Sequence, residues 1–219
     1  MKRLFFLSLV IISCQLLIAQ ETTINPTKKE LTLEEQTIYD LKHGGVLLVR
    51  LVSDRRKISE LDKRVASNPN DTKTKERLRQ VRADRKAFNR EWSEALREHY
   101  KFSEIYFFYD YDAKRLVDGE RSGFFLDDDL HVDKNIKLDR PFVVLGEGAA
   151  GDSGISAFIV MDESIRPLSR PFPYYFKKND FWKVLFSVFD SKTPRHRNLD
   201  KVAKEINDAF DRYYEKSFS

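Results

Sequence analysis

Val46-Leu47-Leu48-Val49-Arg50-Leu51-Val52 is the stretch of sequence that decides the fold. Three of its seven residues are valines, three are leucines, and only Arg50 carries a charge. An apolar run that does not alternate with polar residues is typical of a strand covered on both faces. The sequence therefore predicts a central strand over Val46–Val52, with helices packed on its sheet.

Helical patterns flank this strand. Before it, Thr32-Leu33-Glu34-Glu35 matches a capping box, and the glycines of His43-Gly44-Gly45 favour a helix end. After it, Ser53 is a good N-cap for a helical stretch whose apolar residues recur every three or four positions. Asn68-Pro69-Asn70 interrupts this stretch, so two antiparallel helices are predicted over about 54–99.

The second half of the chain alternates strands and turns before it becomes helical again. Apolar runs predict strands at Ile105–Tyr109, Gly123–Leu126, Phe142–Leu145 and Ile155–Met161. The helical connection before Ile105 is long enough for a crossover, which favours parallel pairing with Val46–Val52, whereas the later, short-linked strands are expected to be antiparallel.

The C-terminal segments favour two helices, one over Phe181–Phe189 and one with an apolar stripe from Leu199 to Tyr213. The order of elements predicts a single domain of the α/β (α+β) class over residues 32–219. We expect a mixed β-sheet with an inserted antiparallel helix pair and C-terminal helices packed on it.

The first nineteen residues have the layout of a secretory signal peptide. Lys2 and Arg3 precede an apolar run that is shorter than the roughly 20 residues a bilayer requires, and Ala19 is a small residue at a suitable cleavage position. We expect cleavage after Ala19, a flexible tail over residues 20–31, and no transmembrane span in the mature chain.

One alternative is a lipoprotein anchored through Cys14. Ile11-Ile12-Ser13-Cys14 resembles the lipobox of bacterial lipoproteins, but four apolar residues follow the cysteine where a polar tether is usual. Cys14 is also the only cysteine of the chain, so cleavage after Ala19 leaves no disulfide, thiol nucleophile or thiolate ligand. Thiol redox chemistry is thereby excluded for the mature chain.

Charge and composition favour no nucleic acid partner. Loss of Lys2 and Arg3 lowers the basic residues from 39 to 37 against 35 acidic ones, so the net charge falls from +4 to +2. Residues 54–99 are locally basic, with fourteen Lys or Arg against nine Asp or Glu. A polyanion-binding patch is one interpretation; the favoured one is a solvated helix face on which acids such as Glu76, Asp84, Glu91 and Glu94 pair with the bases.

Three motifs suggest chemistry that their surroundings do not support. Gly146–Gly151 fits G-x-G-x-x-G, but a strand-like run follows where a dinucleotide site needs a helix, so a flexible hairpin loop is predicted. Gly151-Asp152-Ser153-Gly154 resembles the nucleophile segment of trypsin-like serine proteases, but no histidine of the sequence stands in a recognisable context to act as its base. Asp127–Asp129 with His131 and Asp133 lacks the donor spacing of a calcium loop and is interpreted as an acidic turn. No metal and no cofactor are expected.

The densest aromatic region, near the C-terminus, provides the candidate binding residues. Aromatic rings beside cations suit a groove that binds a sugar, a peptide or a polyanion. The alternative is that these rings dock the C-terminal helices on the sheet. The residues proposed for binding are Arg170, Phe172, Tyr174, Tyr175 and Trp182.

Three segments resemble a group of exported proteins of Gram-negative bacteria that have no assigned activity. These segments are His43–Leu51, containing LLVRL; Ile105–Tyr109, reading IYFFY; and Arg170–Tyr175, reading RPFPYY. The resemblance implies export and a single domain, and it implies no activity.

The preferred hypothesis is a non-enzymatic protein of the cell envelope, periplasmic or secreted, that binds an envelope protein or a cell-surface glycan. Its basis is the lack of a complete catalytic motif. The alternative is a hydrolase or lyase whose dispersed Asp, Glu and His residues converge only in the fold.

Overall fold

The structure, a computed structural model, describes residues 30–150, 155–179 and 198–219. Thr32–Ser219 form one compact unit. A six-stranded mixed sheet with helices confirms the predicted α/β class.

Helix α1 (Leu33–Lys42) leads into the central strand β1 (Val46–Leu51). The predicted capping box is present: Thr32 Oγ1 accepts the amide of Glu35 at 3.1 Å, and the Glu35 carboxylate accepts the amide of Thr32 at 2.9 Å. Gly44, with φ +106°, turns the chain out of the helix. The helix end and the strand are therefore where the sequence predicts them.

Two helices, α2 (Arg55–Ser67) and α3 (Thr72–His99), connect β1 to β2 (Glu104–Tyr109), which confirms the predicted helix pair. The predicted N-cap at Ser53 is wrong by one residue. Asp54 takes that position in the left-handed conformation, with φ +52°. Its side chain does not cap the helix, because its carboxylate instead binds Arg85.

Among the described residues, four more strands follow β2 along the chain: β3 (Phe125–Leu126), β4 (Phe142–Ala150), β5 (Ile155–Met161) and β6 (Tyr175–Lys177). The order in the sheet is β3-β2-β1-β4-β5-β6. Strands β1 and β2 are parallel neighbours, as predicted, and β1 also pairs in parallel with β4. The remaining pairs are antiparallel. The remaining described elements are a 3-10 turn (Asp110–Asp112), α4 (Ala113–Val117) and α5 (Leu199–Phe218).

Strand β4 is longer than predicted, and this corrects the interpretation of Gly146–Gly151. Gly146 and Gly148 lie within the strand and pair with Ile159 and Ala157 of β5, so they do not form a loop. A strand at this place also removes the helix start that a dinucleotide site would need. Gly151 lies outside the described residues.

Two apolar layers sandwich the sheet. Side chains of β1 alternate between them: Leu47, Val49 and Leu51 pack towards α3 and α5, and Leu48 packs on the other face. The predicted stripe of α5 from Leu199 to Tyr213 is buried in the first layer as far as Phe210, and Tyr213 packs against that layer partly buried. The predicted helix over Phe181–Phe189 lies outside the described residues. Within the described ranges, no helix combines the length and the hydropathy that crossing a membrane requires.

Candidate functional site

The carboxyl ends of β1 and β2 lie side by side, because Leu51 is opposite Tyr109 in the parallel register. The chain leaves β1 for β2 on one side, whereas β4 joins β1 on the other side. In open α/β sheets, ligands bind outside the carboxyl ends of strands at such a reversal of strand order. The two strand exits are tied together, since the carboxylate of Asp110 accepts the amide of Ser53 at 3.1 Å.

Helix α2 begins at this edge with three consecutive cations, Arg55, Arg56 and Lys57, and its first turn holds no acidic residue. A helix N-terminus carries partial positive charge, so cations there are unfavourable and anions are favourable. The amide of Arg55 donates to Ser53 Oγ at 3.3 Å. By position, the amides of Arg56 and Lys57 have no acceptor within the helix. The local charge would therefore be balanced by an anion.

A cleft of about 510 Å³ opens at this helix start, and we call it the edge cleft. Its walls are residues 52–57 together with Glu60, Asp110 and Tyr111. Tyr111 is 46% exposed, and the Arg55 guanidinium lies 5.1 Å from the centre of its ring. Tyr109 stacks beside Tyr111 with 5.4 Å between ring centres. The cleft thus combines cations with an exposed aromatic ring.

A second cleft of about 330 Å³, the helix cleft, shares Ser53 and Tyr111 with the edge cleft. Cations of α3 line it, including Arg82, Lys86 and Arg90. Arg82 is held by Asp62 at 2.7 Å, whereas Lys86 has no ion pair within the described ranges.

Asn89 is a buried polar residue of the helix cleft. Its side chain is 3% exposed, and its Nδ2 donates to the carbonyl of Val52 at 2.9 Å. Its Oδ1 has no hydrogen-bond partner among the residues that the structure describes. A buried acceptor without a partner costs free energy, so a ligand that brings a hydroxyl or N–H donor gains from this position.

A network of ion pairs lies behind the clefts. Arg85 joins Asp54 at 2.7 Å and Glu147 at 2.9 Å, and Lys178 also pairs with Glu147. Burial lowers the pKa of Arg85, but the charges and hydrogen bonds of Glu147 and Asp54 outweigh that effect and raise it. The network ties the start of α2 and the end of β6 to α3 and β4. Ionisable side chains do converge here, but each carboxylate is engaged by a cation and is poorly placed to act as a general base.

Arg50 lies at the same end of β1 on the opposite face of the sheet. Its Nη2 donates to the carbonyl of Glu147 at 3.3 Å, and its Nε has no partner within the described ranges. Burial lowers the pKa of Arg50, whereas the nearby charges of Asp110 and Glu147 raise it. Gly146 leaves room for the guanidinium, because an added Cβ would lie 3.0 Å from Nε.

The predicted aromatic site is brought together only in part. Arg170, Phe172, Tyr174 and Tyr175 line a surface depression of about 560 Å³. Phe172 is 1% exposed and packs on Phe210 of α5, with 5.5 Å between ring centres. This is the packing role that the alternative interpretation gave to these rings. Trp182 lies outside the described residues.

The remaining motifs form turns or lie elsewhere. Asp127 Oδ1 accepts the amides of Asp129 and His131, as expected for an acidic turn. In the described ranges, no three His, Cys, Asp or Glu side chains are grouped as metal ligands would be. Ser153 lies outside the described residues, so the serine motif is not assessed by the structure.

The basic helices form ion pairs, as the solvated-face interpretation expected, but mostly with acids other than those named: Arg56 pairs with Glu60, Arg82 with Asp62 and Arg85 with Asp54. Of the four acids named for this purpose, Glu76 pairs with Arg79 at 2.7 Å. Asp84, Glu91 and Glu94 make no ion pair within residues 30–150, 155–179 and 198–219. Sequence reasoning also missed the edge cleft, although three cations directly after a strand and a predicted helix start were a usable signal.

The chemistry inferred for the edge cleft and the helix cleft comes from the residues that line them, and the comparisons with known proteins add nothing to it. No family model matches the chain, and no curated protein or solved structure matches it significantly.

Proposed function

We propose that this protein is an exported, non-enzymatic binding protein of the cell envelope whose ligand presents an anionic group to the edge cleft. The observation that carries the proposal is the cationic first turn of α2, Arg55-Arg56-Lys57, at the carboxyl edge of the sheet. Backbone amides and cations at a helix start bind carboxylate or phosphate oxygens, and they do so without further rearrangement.

Two further observations support binding rather than catalysis. The unpartnered Oδ1 of Asn89 offers a buried acceptor to a ligand that also carries a hydroxyl or N–H group. The carboxylates of Asp54 and Glu147, which are near the clefts, are both engaged in ion pairs. Export is supported by the pattern of residues 1–19 and by the resemblance of three segments to exported proteins.

The proposal is tested by thermal unfolding and calorimetry with three probes: D-galacturonate, inorganic phosphate and neutral D-galactose. We expect galacturonate or phosphate to raise the Tm, more strongly at low salt, and galactose to have no effect. If neither anion raises the Tm more than galactose does, the anion site is refuted.

Matched variants locate the site. The double variant Arg55→Ala/Lys57→Ala is expected to lower anion affinity at least about tenfold, since it removes two charge-assisted contacts. It should be as stable as the parent or more so, because cations at a helix start are unfavourable. The control Lys63→Ala removes one exposed cation of the same helix outside the clefts and should bind like the parent. Equal binding by the double variant would place the anion elsewhere.

A further inference from the structure

A third cleft continues the surface beyond the helix start. It has a volume of about 140 Å³, and we call it the end cleft. Its walls include Arg64 of α2 and Arg77 of α3, and it shares Lys57 and Glu60 with the edge cleft. The edge cleft in turn shares Ser53 and Tyr111 with the helix cleft. The edge cleft therefore adjoins both the end cleft and the helix cleft.

Cations predominate along this series. Nine Lys or Arg side chains line the three clefts, against four Asp or Glu. Some of these cations are already neutralised, such as Arg85 by Asp54 and Glu147. Five of them have no ion pair with another described residue: Arg55, Lys57, Arg64, Arg77 and Lys86. The uncompensated charge is thus spread over all three clefts.

The spacing exceeds the reach of one small anion. Lys57 and Arg64 are seven residues apart, so they lie on the same side of α2 with about 10 Å of helix rise between them. Lys86, on α3, lines the helix cleft and not the edge cleft. A ligand that contacts all three clefts must therefore repeat its anionic group along a chain.

The other groups of the clefts indicate what such a chain carries between its charges. Asn89 Oδ1 has no donor among the described residues, and a ligand hydroxyl would supply one. Tyr111 exposes nearly half of its surface beside the cations, and an aromatic face suits the apolar face of a sugar ring. Hydroxyls, sugar rings and repeated carboxylates occur together in polyuronates.

We propose that the natural ligand is an acidic polysaccharide that runs through the helix cleft, the edge cleft and the end cleft in succession. This inference rests on the proposed function of the edge cleft. It adds the class of ligand, a polyuronate-like glycan, and the extent of the binding surface.

The test compares ligand lengths. Galacturonic acid, its trimer and longer oligogalacturonates are titrated into the full-length mature protein at low and at physiological salt. We expect the Kd to fall at least about tenfold from the monomer to the longest oligomer, as additional clefts are occupied. The salt dependence should also steepen with length, because more charges are neutralised.

Paired variants separate the clefts. Arg64→Ala/Arg77→Ala should lower the affinity for long oligomers at least about tenfold and reduce the benefit of length. The control Lys63→Ala/Arg79→Ala removes the same number of charges from the same two helices outside the clefts, and it should behave like the parent.

Four outcomes would overturn the inference, and they differ in what they leave standing. Equal binding of monomer and oligomers would refute the extended site but retain the anion site. An equal loss of oligomer affinity in Arg64→Ala/Arg77→Ala and in Lys63→Ala/Arg79→Ala would have the same consequence. Tighter binding of a single-stranded oligonucleotide than of an oligogalacturonate with the same number of charges would refute the glycan class. Failure of galacturonate and phosphate to bind at all would remove the proposed function as well.

Discussion

Arg50 places a positive charge at the end of a strand whose other side chains are apolar. Burying a guanidinium is costly unless oxygen atoms compensate it. Here the carbonyl of Glu147 accepts one hydrogen bond, and the charges of Asp110 and Glu147 add long-range attraction. The arrangement also requires Gly146, since any Cβ at that position would meet Arg50 Nε and Met161 Cε at 3.0 Å.

The first prediction at the residue scale concerns this glycine. Gly146→Ala should lower the free energy of unfolding by about 1–3 kcal/mol, because the added methyl group would crowd the guanidinium of Arg50, which the carbonyl of Glu147 holds in place. Urea unfolding measures the change. At Gly148 the added Cβ would meet the terminal Cδ1 of Ile159, a group that can move away, so Gly148→Ala should cost less. A Gly146→Ala variant as stable as the parent would show that Arg50 is not confined.

Single residues were the hardest to predict. Arg50 stood out in the sequence as the one charge of β1. Its hydrogen bond to Glu147 and its unpartnered Nε could not be foreseen, because Glu147 lies in β4, nearly a hundred residues later. The sequence did not single out Asn89. In the fold, the carbonyl of Val52 accepts a hydrogen bond from its Nδ2, and its Oδ1 is left without a partner among the described residues. For Phe172, sequence does not distinguish a ring in a groove from a ring in the core; its contact with Phe210 does.

At the scale of elements, local patterns were reliable where the partners are close in sequence. The capping box of α1 joins Thr32 and Glu35, three residues apart, and was predicted correctly. The start of α2 was misplaced because Asp54 is held by Arg85, thirty-one residues away. The length of β4 was underestimated because glycines usually indicate a turn, whereas here they give room beside Arg50 and Ile159.

The prediction for an element is that the N-terminal cap of α1 contributes measurably to stability. Thr32→Ala removes the hydroxyl that accepts the amide of Glu35, and it should lower the free energy of unfolding by about 1 kcal/mol. Thr32→Ser keeps a hydroxyl and should stay close to the parent. Chemical denaturation of the three proteins is sufficient. A loss of the same size in both variants would mean that the methyl group, and not the hydrogen bond, matters.

For the whole molecule, one connection was predictable and another was not. The helix pair between β1 and β2 is long enough for a crossover, and the strands are parallel as expected. The placement of β4 beside β1, also in parallel, was not foreseen. Residues 127–141 between β3 and β4 are a loop without regular periodicity, so sequence did not indicate that they carry the chain across to the other side of β1.

A prediction about the whole chain concerns its processing. When the full-length gene is expressed in a Gram-negative host, we expect the soluble periplasmic or secreted fraction to contain a protein that begins at Gln20, because Ala19 is the favoured cleavage position. N-terminal sequencing and mass spectrometry identify the product. A lipidated form that begins at Cys14 in the membrane fraction would establish the lipoprotein alternative instead. Intact protein that retains Met1 in the cytoplasm would refute export.

The sheet described here has short strands at both borders, two residues in β3 and three in β6, and the second follows closely after Pro171 and Pro173. Short borders and prolines offer few free backbone groups to a strand from another molecule. Copies of the protein held at high local density would therefore have little tendency to join edge to edge into fibrils.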